Sequence, residues 1–293
     1  MSPLVNYDSP RELRAFLEER GLGMRKKFGQ NFLVNPGARE ELLEALEIKA
    51  GDEVWEIGPG LGAMTRGLLQ RGGKLTAFEI DPGFCGVLRG LFGESENFRL
   101  IEGDALKTWP HAGGGGEEEL YLLGNLPYNA GAAILGDFIE KGRFFKRIVV
   151  TVQKEAAARM AAKPGSGDYS SFSVLCASVY DLKPLRVIKG ASFYPVPRVD
   201  SRGVRLDLLP PGERVKPPVF YPLVRALFSS RRKTIKNSLS AFMYSGIIGG
   251  KPGGEAPEIL RLSGLSGERR PETLSIEEFT LLAEMLEVFI RGT

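Results

Sequence analysis

Short apolar runs and longer amphipathic patterns alternate over the first two thirds of the chain. The runs recur near 53–57, 74–79, 98–103, 119–124 and 146–152. Between them, apolar residues are spaced three and four apart, which is the period of a helix with one buried face. Strands that alternate with helices in this way pair in parallel. The pattern therefore predicts an α/β domain with one parallel sheet and helices on both of its faces.

A change of pattern marks the end of this domain. Leu208-Leu209-Pro210-Pro211-Gly212-Glu213 is a run typical of a domain boundary. The pattern beyond it is helical throughout, with candidate helices at 219–228, 234–244, 256–263 and 276–290. We therefore expect two domains, at 1–208 and 209–293, of which the second is small and all helical and contributes contacts rather than chemistry.

Two helices are predicted before the first strand of the sheet. Ser9-Pro10-Arg11-Glu12 has the spacing of a capping box and begins a first helix, which we expect to be peripheral. Asn35-Pro36 begins a second helix that continues through Leu46.

A glycine-rich turn follows the first strand of the predicted sheet. Gly58-Pro59-Gly60-Leu61-Gly62 comes directly after the run that ends at Ile57 and before a helical pattern. Glycines at such a turn let the backbone approach a cofactor closely. Glu79 ends the next strand, about 20 residues after the first glycine, where a ribose-binding carboxylate is expected. These features predict a nucleoside cofactor.

The glycine spacing alone fits either a dinucleotide or S-adenosylmethionine. A phosphate favours open amides at a helix start, whereas a sulfonium carries no phosphate and suits acidic neighbours. Glu56, Glu79 and Asp104 favour S-adenosylmethionine. Because parallel strands share a carboxyl edge, we expect Gly58, Glu79, Asp104 and Asn125 to lie along that edge.

The fourth strand ends abruptly at Asn125-Leu126-Pro127-Tyr128. An adenine amine is a poor nucleophile until acceptors hold both of its hydrogens and direct its lone pair out of the ring plane. Asn125 offers one carbonyl, and the backbone carbonyl of Leu126 or Pro127 offers the other. Tyr128 offers a ring on which a base can stack. A strand end followed by a proline turn is the alternative interpretation.

Six blocks of the chain resemble the KsgA-type ribosomal RNA adenine N6,N6-dimethyltransferases. In family order they are 27–33, 56–62, 124–129, 152–155, 193–201 and 231–239. The resemblance implies a Rossmann-like sheet that binds S-adenosylmethionine. The cofactor contacts that it implies are Asn31, Leu33, Gly58, Glu79, Asp104 and Asn125.

The same resemblance implies the substrate and the catalytic residues. The substrate is two adjacent adenines in the hairpin loop near the 3′ end of small-subunit ribosomal RNA, within a pre-ribosomal particle. The catalytic set is Asn125, Leu126, Pro127, Tyr128 and Phe193, with the rings of Tyr128 and Phe193 on opposite faces of the adenine. We expect direct in-line methyl transfer by positioning, without a metal, a covalent intermediate or a dedicated base.

Three segments depart from the family pattern. Ala130-Gly131-Ala132-Ala133 stands where the family has isoleucine and hydroxyl residues, which removes side-chain donors at the next helix start. Ser170-Ser171-Phe172 replaces a segment that usually begins with glycine, and Arg198 replaces a lysine. The last two changes leave the expected chemistry untouched.

Composition adds little to this picture. The net charge of +3 and a pI near 8.8 do not by themselves indicate a nucleic-acid-binding protein, so the position of basic residues decides. The expected RNA contacts are Arg198, Arg231, Arg232, Lys233 and Lys236.

Cys85 and Cys176 are expected to be reduced core thiols of a cytoplasmic protein. Without an apolar run of about 18 residues, we expect no membrane role, and a monomer is the default.

Three alternatives stay open. An Erm-type enzyme acting on large-subunit RNA is disfavoured because Leu126 and the segments 153–155 and 195–200 follow the KsgA-type sequence pattern. A non-catalytic assembly or transcription factor on the same fold is disfavoured by the intact motif at 125–128. A nicotinamide dehydrogenase is disfavoured because no substrate-domain acid or base is recognisable.

Overall fold

The structure is a computed structural model that describes residues 5–24, 30–116, 119–127, 130–214, 216–230, 232–245 and 255–291. The chain forms two compact units. The first comprises Met1–Ala157 and Asp181–Leu208, and the second comprises Ala158–Tyr180 and Leu209–Thr293.

The first unit is built on a mixed, mostly parallel sheet. The strands of the described chain are β1 (Phe32–Leu33), β2 (Glu53–Ile57), β3 (Lys74–Glu79), β4 (Phe98–Glu102), β5 (Leu120–Asn125), β6 (Arg147–Gln153), β7 (Tyr180–Ile188), β8 (Phe193–Tyr194) and β9 (Ser201–Leu208). Seven of them form one sheet in the order β4-β3-β2-β5-β6-β9-β7. Pairing is parallel from β4 to β6, and β9 is antiparallel to β6. The five predicted strands are confirmed.

Strands β7 and β9 were not predicted from the sequence. Both carry charged residues at close spacing, and β7 is mostly exposed or half-buried along its length. The apolar runs that mark the central strands are therefore absent here, as expected towards the edge of a sheet.

Helices flank the sheet in the first unit and make up most of the second. Those that begin in the first unit are α1 (Pro10–Glu19), α2 (Pro36–Leu46), α3 (Ala63–Gln70), α4 (Pro82–Phe92), α5 (Ala105–Thr108), α6 (Gly131–Glu140) and α7 (Lys154–Met160). Those of the second are α8 (Ser171–Ala177), α9 (Pro211–Arg214), α10 (Phe220–Phe228), α11 (Ile235–Tyr244), α12 (Ala256–Leu262) and α13 (Ile276–Arg291). The four helices expected beyond residue 208 correspond to α10–α13.

The helical unit also contains residues 158–180, which the expected division at 208 assigned to the first domain. Tyr169 is 1% exposed, and its hydroxyl donates to the Leu274 carbonyl at 3.1 Å. The backbone N–H of Gly165 donates to the Glu272 carbonyl at 2.7 Å. These contacts join positions more than a hundred residues apart, and no compositional change marks either end of the segment.

The first helix is not peripheral, contrary to expectation. Ser9 caps α1 as predicted, its side chain accepting from the Glu12 N–H. The apolar side chains of α1, Leu13 and Leu17, are buried in a cluster with Tyr7 and Phe84. The N-terminal segment is therefore part of the core beside the glycine-rich turn.

Among the residues described, no helix is long and apolar enough to cross a membrane. Cys85 and Cys176 are both buried free thiols, and burial raises the pKa of Cys85 to about 12.

Candidate active site

A cavity opens at the carboxyl edge of the sheet in the first unit. The ends of β2, β3 and β5, the strand β1 and the N-terminal segment all contribute to its wall. Its lining comprises Tyr7, Leu13, Gln30, Asn31, Phe32, Leu33, Arg39, Gly58, Pro59, Gly60, Leu61, Ala63, Met64, Glu79, Ile80, Phe84, Asn125 and Pro127. The structure thus brings together five of the six predicted cofactor contacts.

The glycine-rich turn forms one side of this cavity. Gly60 has a φ of 60°, in the left-handed region that disfavours side chains, and a Cβ there would lie 3.0 Å from the Phe32 ring. Its N–H donates to the Glu79 carboxyl at 3.0 Å. Close approach to β1 and the bond to Glu79 therefore fix the shape of the turn.

Glu79 lies at the end of β3 and is 3% exposed. Its carboxyl accepts the N–H groups of Gly60 at 3.0 Å and Asp81 at 2.8 Å. Burial raises its pKa to about 7, although these bonds oppose the shift. Glu79 is thus a buried acid on the cavity wall, where the sequence predicted a ribose-binding carboxylate.

Glu56 is a second buried acid, located in β2 just before the glycine-rich turn. It is 1% exposed, and the Thr65 hydroxyl donates to its Oε2 at 2.6 Å. Its Oε1 is buried without a hydrogen-bond partner in the described structure. Burial, with a smaller contribution from the Glu79 charge, raises the pKa of Glu56 to about 8.

These two acids discriminate between the candidate cofactors. A pyrophosphate near them would add negative charge to a site where carboxyls already resist ionisation. A sulfonium and an ammonium group would instead favour the carboxylate forms. The acidic surroundings therefore fit S-adenosylmethionine better than a nicotinamide dinucleotide, and Asn31, Leu33, Gly58 and Glu79 line the cavity that could hold it.

Asn125 is the last residue of β5 and lies opposite Thr151 of β6 in the parallel pair. Its side-chain Nδ2 donates to the backbone carbonyl of Asn31 at 2.7 Å. This bond fixes which way the amide faces. Within the described part of the chain no donor bonds the Asn125 side-chain oxygen, which makes this oxygen the candidate acceptor for a ligand amine in the cavity.

The backbone after Asn125 distinguishes the two candidate carbonyls. The Pro127 carbonyl accepts the N–H groups of Ala130 at 3.0 Å and Gly131 at 2.9 Å, at the start of α6. Leu126 is anchored through its own N–H, which donates to the Thr151 carbonyl at 3.1 Å. Since the Pro127 oxygen is already engaged, the Leu126 carbonyl is the better second acceptor. These two bonds begin α6 without a side-chain cap, because neither Ala130 nor Gly131 has a polar side chain that could supply one.

Two predicted residues lie elsewhere. The Asp104 carboxylate accepts the Leu106 N–H at 3.1 Å and so caps α5, and it is not part of the cavity lining. Phe193 is 1% exposed in the core and pairs with Leu33 across β1 and β8. In this conformation its ring is not open to a base. Tyr128 lies outside the described residues.

The predicted RNA contacts are exposed where they are described. Arg198 is exposed in the loop between β8 and β9. Arg232, Lys233 and Lys236 are exposed at and before the start of α11 in the helical unit. Arg231 lies outside the described residues.

Several lining residues were not found from the sequence, namely Tyr7, Leu13, Arg39, Ile80 and Phe84. The apolar face of α1 was the available signal, because Leu13 and Leu17 need a partner surface. Ile80 was also recognisable from the sequence as an apolar residue directly after the acid that ends β3. In the structure it is 40% exposed. Arg39 had no such signal.

Comparisons with known proteins agree with this geometry. A family model described as "Ribosomal RNA adenine dimethylase" matches residues 21–251. "Ribosomal RNA small subunit methyltransferase A" of Treponema denticola is 45% identical over 285 residues, covering 96% of each chain. The protein of that name from Borreliella afzelii is 39% identical, covering 99% of this chain and 98% of its own.

A solved structure shows the same fold. The crystal structure of a dimethyladenosine transferase from Plasmodium falciparum aligns with a TM-score of 0.71 at 26% identity, covering 88% of this chain and 97% of that one. The chain therefore belongs to the ribosomal RNA adenine dimethylase family of S-adenosylmethionine-dependent methyltransferases.

Proposed function

We propose that the protein methylates the N6 amines of two adjacent adenines in the hairpin loop near the 3′ end of small-subunit ribosomal RNA, giving N6,N6-dimethyladenosine. The names of its relatives support the small subunit as substrate. The observation that carries the chemistry is the orientation of the Asn125 amide, whose nitrogen donates to the Asn31 carbonyl. We further propose that it acts as a cytoplasmic monomer on a pre-ribosomal particle.

Two oxygens of the chain activate the amine. The Asn125 side-chain oxygen and the Leu126 carbonyl accept its two hydrogens, which directs the nitrogen lone pair out of the ring plane. When bound, S-adenosylmethionine would supply the methyl group as a sulfonium electrophile, the S–CH3 bond breaking as the N–CH3 bond forms and sulfur leaving as the neutral thioether of S-adenosylhomocysteine. Asn125 is the last residue of β5 and its amide is held by the Asn31 carbonyl, and Leu126 is held by its N–H bond to Thr151, so positioning is the main catalytic device. Methylation makes the nitrogen strongly acidic, and its proton then leaves to water without a dedicated base.

The remaining residues have supporting roles in this proposal. Tyr128 stacks on the adenine, a role that rests on the family resemblance. Phe193 supports the site from the core through its pairing with Leu33. A contact of Asp104 with the adenine end of the cofactor also rests on the resemblance alone, because its carboxylate caps α5 outside the cavity lining. The phosphate contacts are Arg198, Arg231, Arg232, Lys233 and Lys236.

Labelled S-adenosylmethionine and small-subunit particles lacking the modification test this proposal. Nucleoside analysis should detect N6,N6-dimethyladenosine, and primer extension should stop at two adjacent positions of small-subunit RNA. Stops in large-subunit RNA would favour an Erm-type activity. Binding without any methyl incorporation would favour the non-catalytic assembly factor.

A further inference from the structure

Arg39 is a buried cation beside the cofactor cavity. It lies on α2, is 8% exposed and contributes to the cavity lining. Its Nη1 donates to the Leu33 carbonyl at 2.8 Å and to the Tyr7 carbonyl at 3.4 Å. Its Nη2 forms an ion pair with the Asp8 carboxylate. One guanidinium therefore holds acceptors from two separate segments of the chain.

Both of those segments form walls of the cavity. Tyr7 is buried beside the glycine-rich turn, where its hydroxyl donates to the Leu61 carbonyl at 2.9 Å. Leu33 belongs to β1, the strand that follows Asn31, and the Asn31 carbonyl orients the Asn125 amide. Arg39 thus connects the N-terminal wall with the strand next to the reactive amide.

The chemistry of arginine suits this connection. Its planar fork presents several donors at fixed angles and stays charged when buried. A lysine has one ammonium and cannot match three acceptors in the same geometry. Leaving these carbonyls unpaired would cost free energy, so the walls are most stable in the arrangement that Arg39 imposes.

We propose that Arg39 is a positioning residue that holds the N-terminal segment and β1 in the cofactor-ready arrangement; this rests on the proposed function for the identity of the cofactor. It touches neither of the two acceptors assigned to the amine. A wall that is ordered before binding lowers the entropic cost of binding. Loss of Arg39 should therefore weaken cofactor affinity while the chemical step is spared.

The test is isothermal titration of the full-length chain with S-adenosylmethionine, together with steady-state kinetics on unmethylated small-subunit particles. Arg39→Met keeps an unbranched apolar side chain about as long as the arginine stem but removes charge and donors, and it should raise both Kd and KM for the cofactor about tenfold, with kcat within about twofold. Arg39→Lys should fall between Arg39→Met and the wild type. Arg71→Met is the matched control: Arg71, at the end of α3, pairs with the exposed Glu40 of α2 and is not among the residues that line the cofactor cavity, so Kd and KM should not change.

The outcomes separate positioning from a purely structural role. Wild-type Kd and KM in Arg39→Met, with only a smaller folded fraction and a lower apparent kcat, would overturn the proposal. Asp8→Asn covers the case in which Arg39→Met does not fold, because it removes the ion pair and keeps both carbonyl bonds; an unchanged Kd there would also count against the proposal, and a rise of about threefold would support it. Failure of the wild-type chain itself to bind S-adenosylmethionine would instead refute the proposed function.

Discussion

The sheet-containing unit and the helical unit differ in what they bury. The core of the helical unit is a cluster of leucine, phenylalanine, valine, isoleucine and other apolar or aromatic side chains. The sheet unit buries Arg39, Glu56, Glu79 and Asp81 as well as its apolar core. Among the described residues of the helical unit, Arg214 is the one charged side chain with comparable burial.

That difference indicates that the sheet unit carries the chemistry and that the helical unit is a scaffold. Burying an ionisable group costs free energy, and such groups with shifted pKa values concentrate at functional sites. In the sheet unit three of the four border the cofactor cavity or the glycine-rich turn, and Asp81 donates its N–H to Glu79. The helical unit carries no comparable cluster in its described part, as expected for a domain that contributes shape and contacts.

The largest expected effect tests the scaffold side of this comparison. Phe279 is fully buried in α13, with its ring 5.8 Å from that of Phe228. Phe279→Ala should lower the free energy of unfolding of the helical unit by about 3–5 kcal/mol, because it leaves a cavity. Urea unfolding followed by circular dichroism measures this. Leu281→Ala, on the exposed side of the same helix, is the control and should change it by about 0.5 kcal/mol or less.

If cofactor binding depends on the sheet unit alone, the folded Phe279→Ala variant should still bind S-adenosylmethionine with the wild-type Kd. Loss of cofactor binding under conditions where the variant is fully folded would break the comparison, since it would make the helical core part of the cofactor site.

Asn125→Ala tests the chemical side. It removes one acceptor of the target amine, so kcat should fall about 10²–10³-fold, the range seen when one preorganised hydrogen-bonding group at a reacting centre is deleted. Methyl incorporation into small-subunit particles measures it, with Asn97→Ala, an exposed residue before β4, as the control. Full activity of Asn125→Ala in a folded protein would show that the amide does not hold the substrate.

The sequence predicted those features whose causes are local. Apolar runs located β2–β6, and the glycine spacing with Glu79 located the cofactor cavity. Glu79 and Asp104 looked equivalent because each ends a strand. The structure separates them: the short helix α5 takes the Asp104 carboxylate as its cap, a local preference of aspartate that competes with any ligand.

Long-range contacts could not be predicted in the same way. The packing of 158–180 with the helical unit depends on partners such as Leu274, far along the chain. The role of Arg39 depends on Tyr7 and Leu33 coming together in three dimensions. Choosing Leu126 over Pro127 required knowing where α6 begins, because that helix start engages the Pro127 carbonyl.

A moderate effect is expected from pH. Burial raises the pKa of Glu56 to about 8, whereas in the unfolded chain it titrates near its ordinary value of 4.5. Between these values the native state keeps a proton that the unfolded state has released, so stability falls as pH rises, by up to about 1.4 kcal/mol per pH unit. Glu56→Gln keeps an acceptor for Thr65 but cannot ionise, so its stability should fall less steeply.

Urea unfolding without cofactor at pH 6 and pH 8 measures this slope. Glu44→Gln, an exposed position on α2, should retain the wild-type slope. Identical slopes for Glu56→Gln and wild type would mean that Glu56 is ionised throughout this range, and the cost of burying acids in the sheet unit would then be smaller than inferred.

The smallest effect is expected at the surface of the helical unit. Lys236 is exposed on α11, where a phosphate contact is screened by salt and contributes little by itself. Lys236→Gln should weaken RNA binding about threefold, and the slope of log K against log salt should become shallower by about one counterion. Filter binding over a salt series measures both quantities, with the exposed Lys163→Gln of the same unit as control. Cofactor Kd should stay unchanged in both variants, since the buried acids that favour a sulfonium lie in the sheet unit. A change in cofactor Kd, with RNA affinity unaffected, would reverse the roles assigned to the two units.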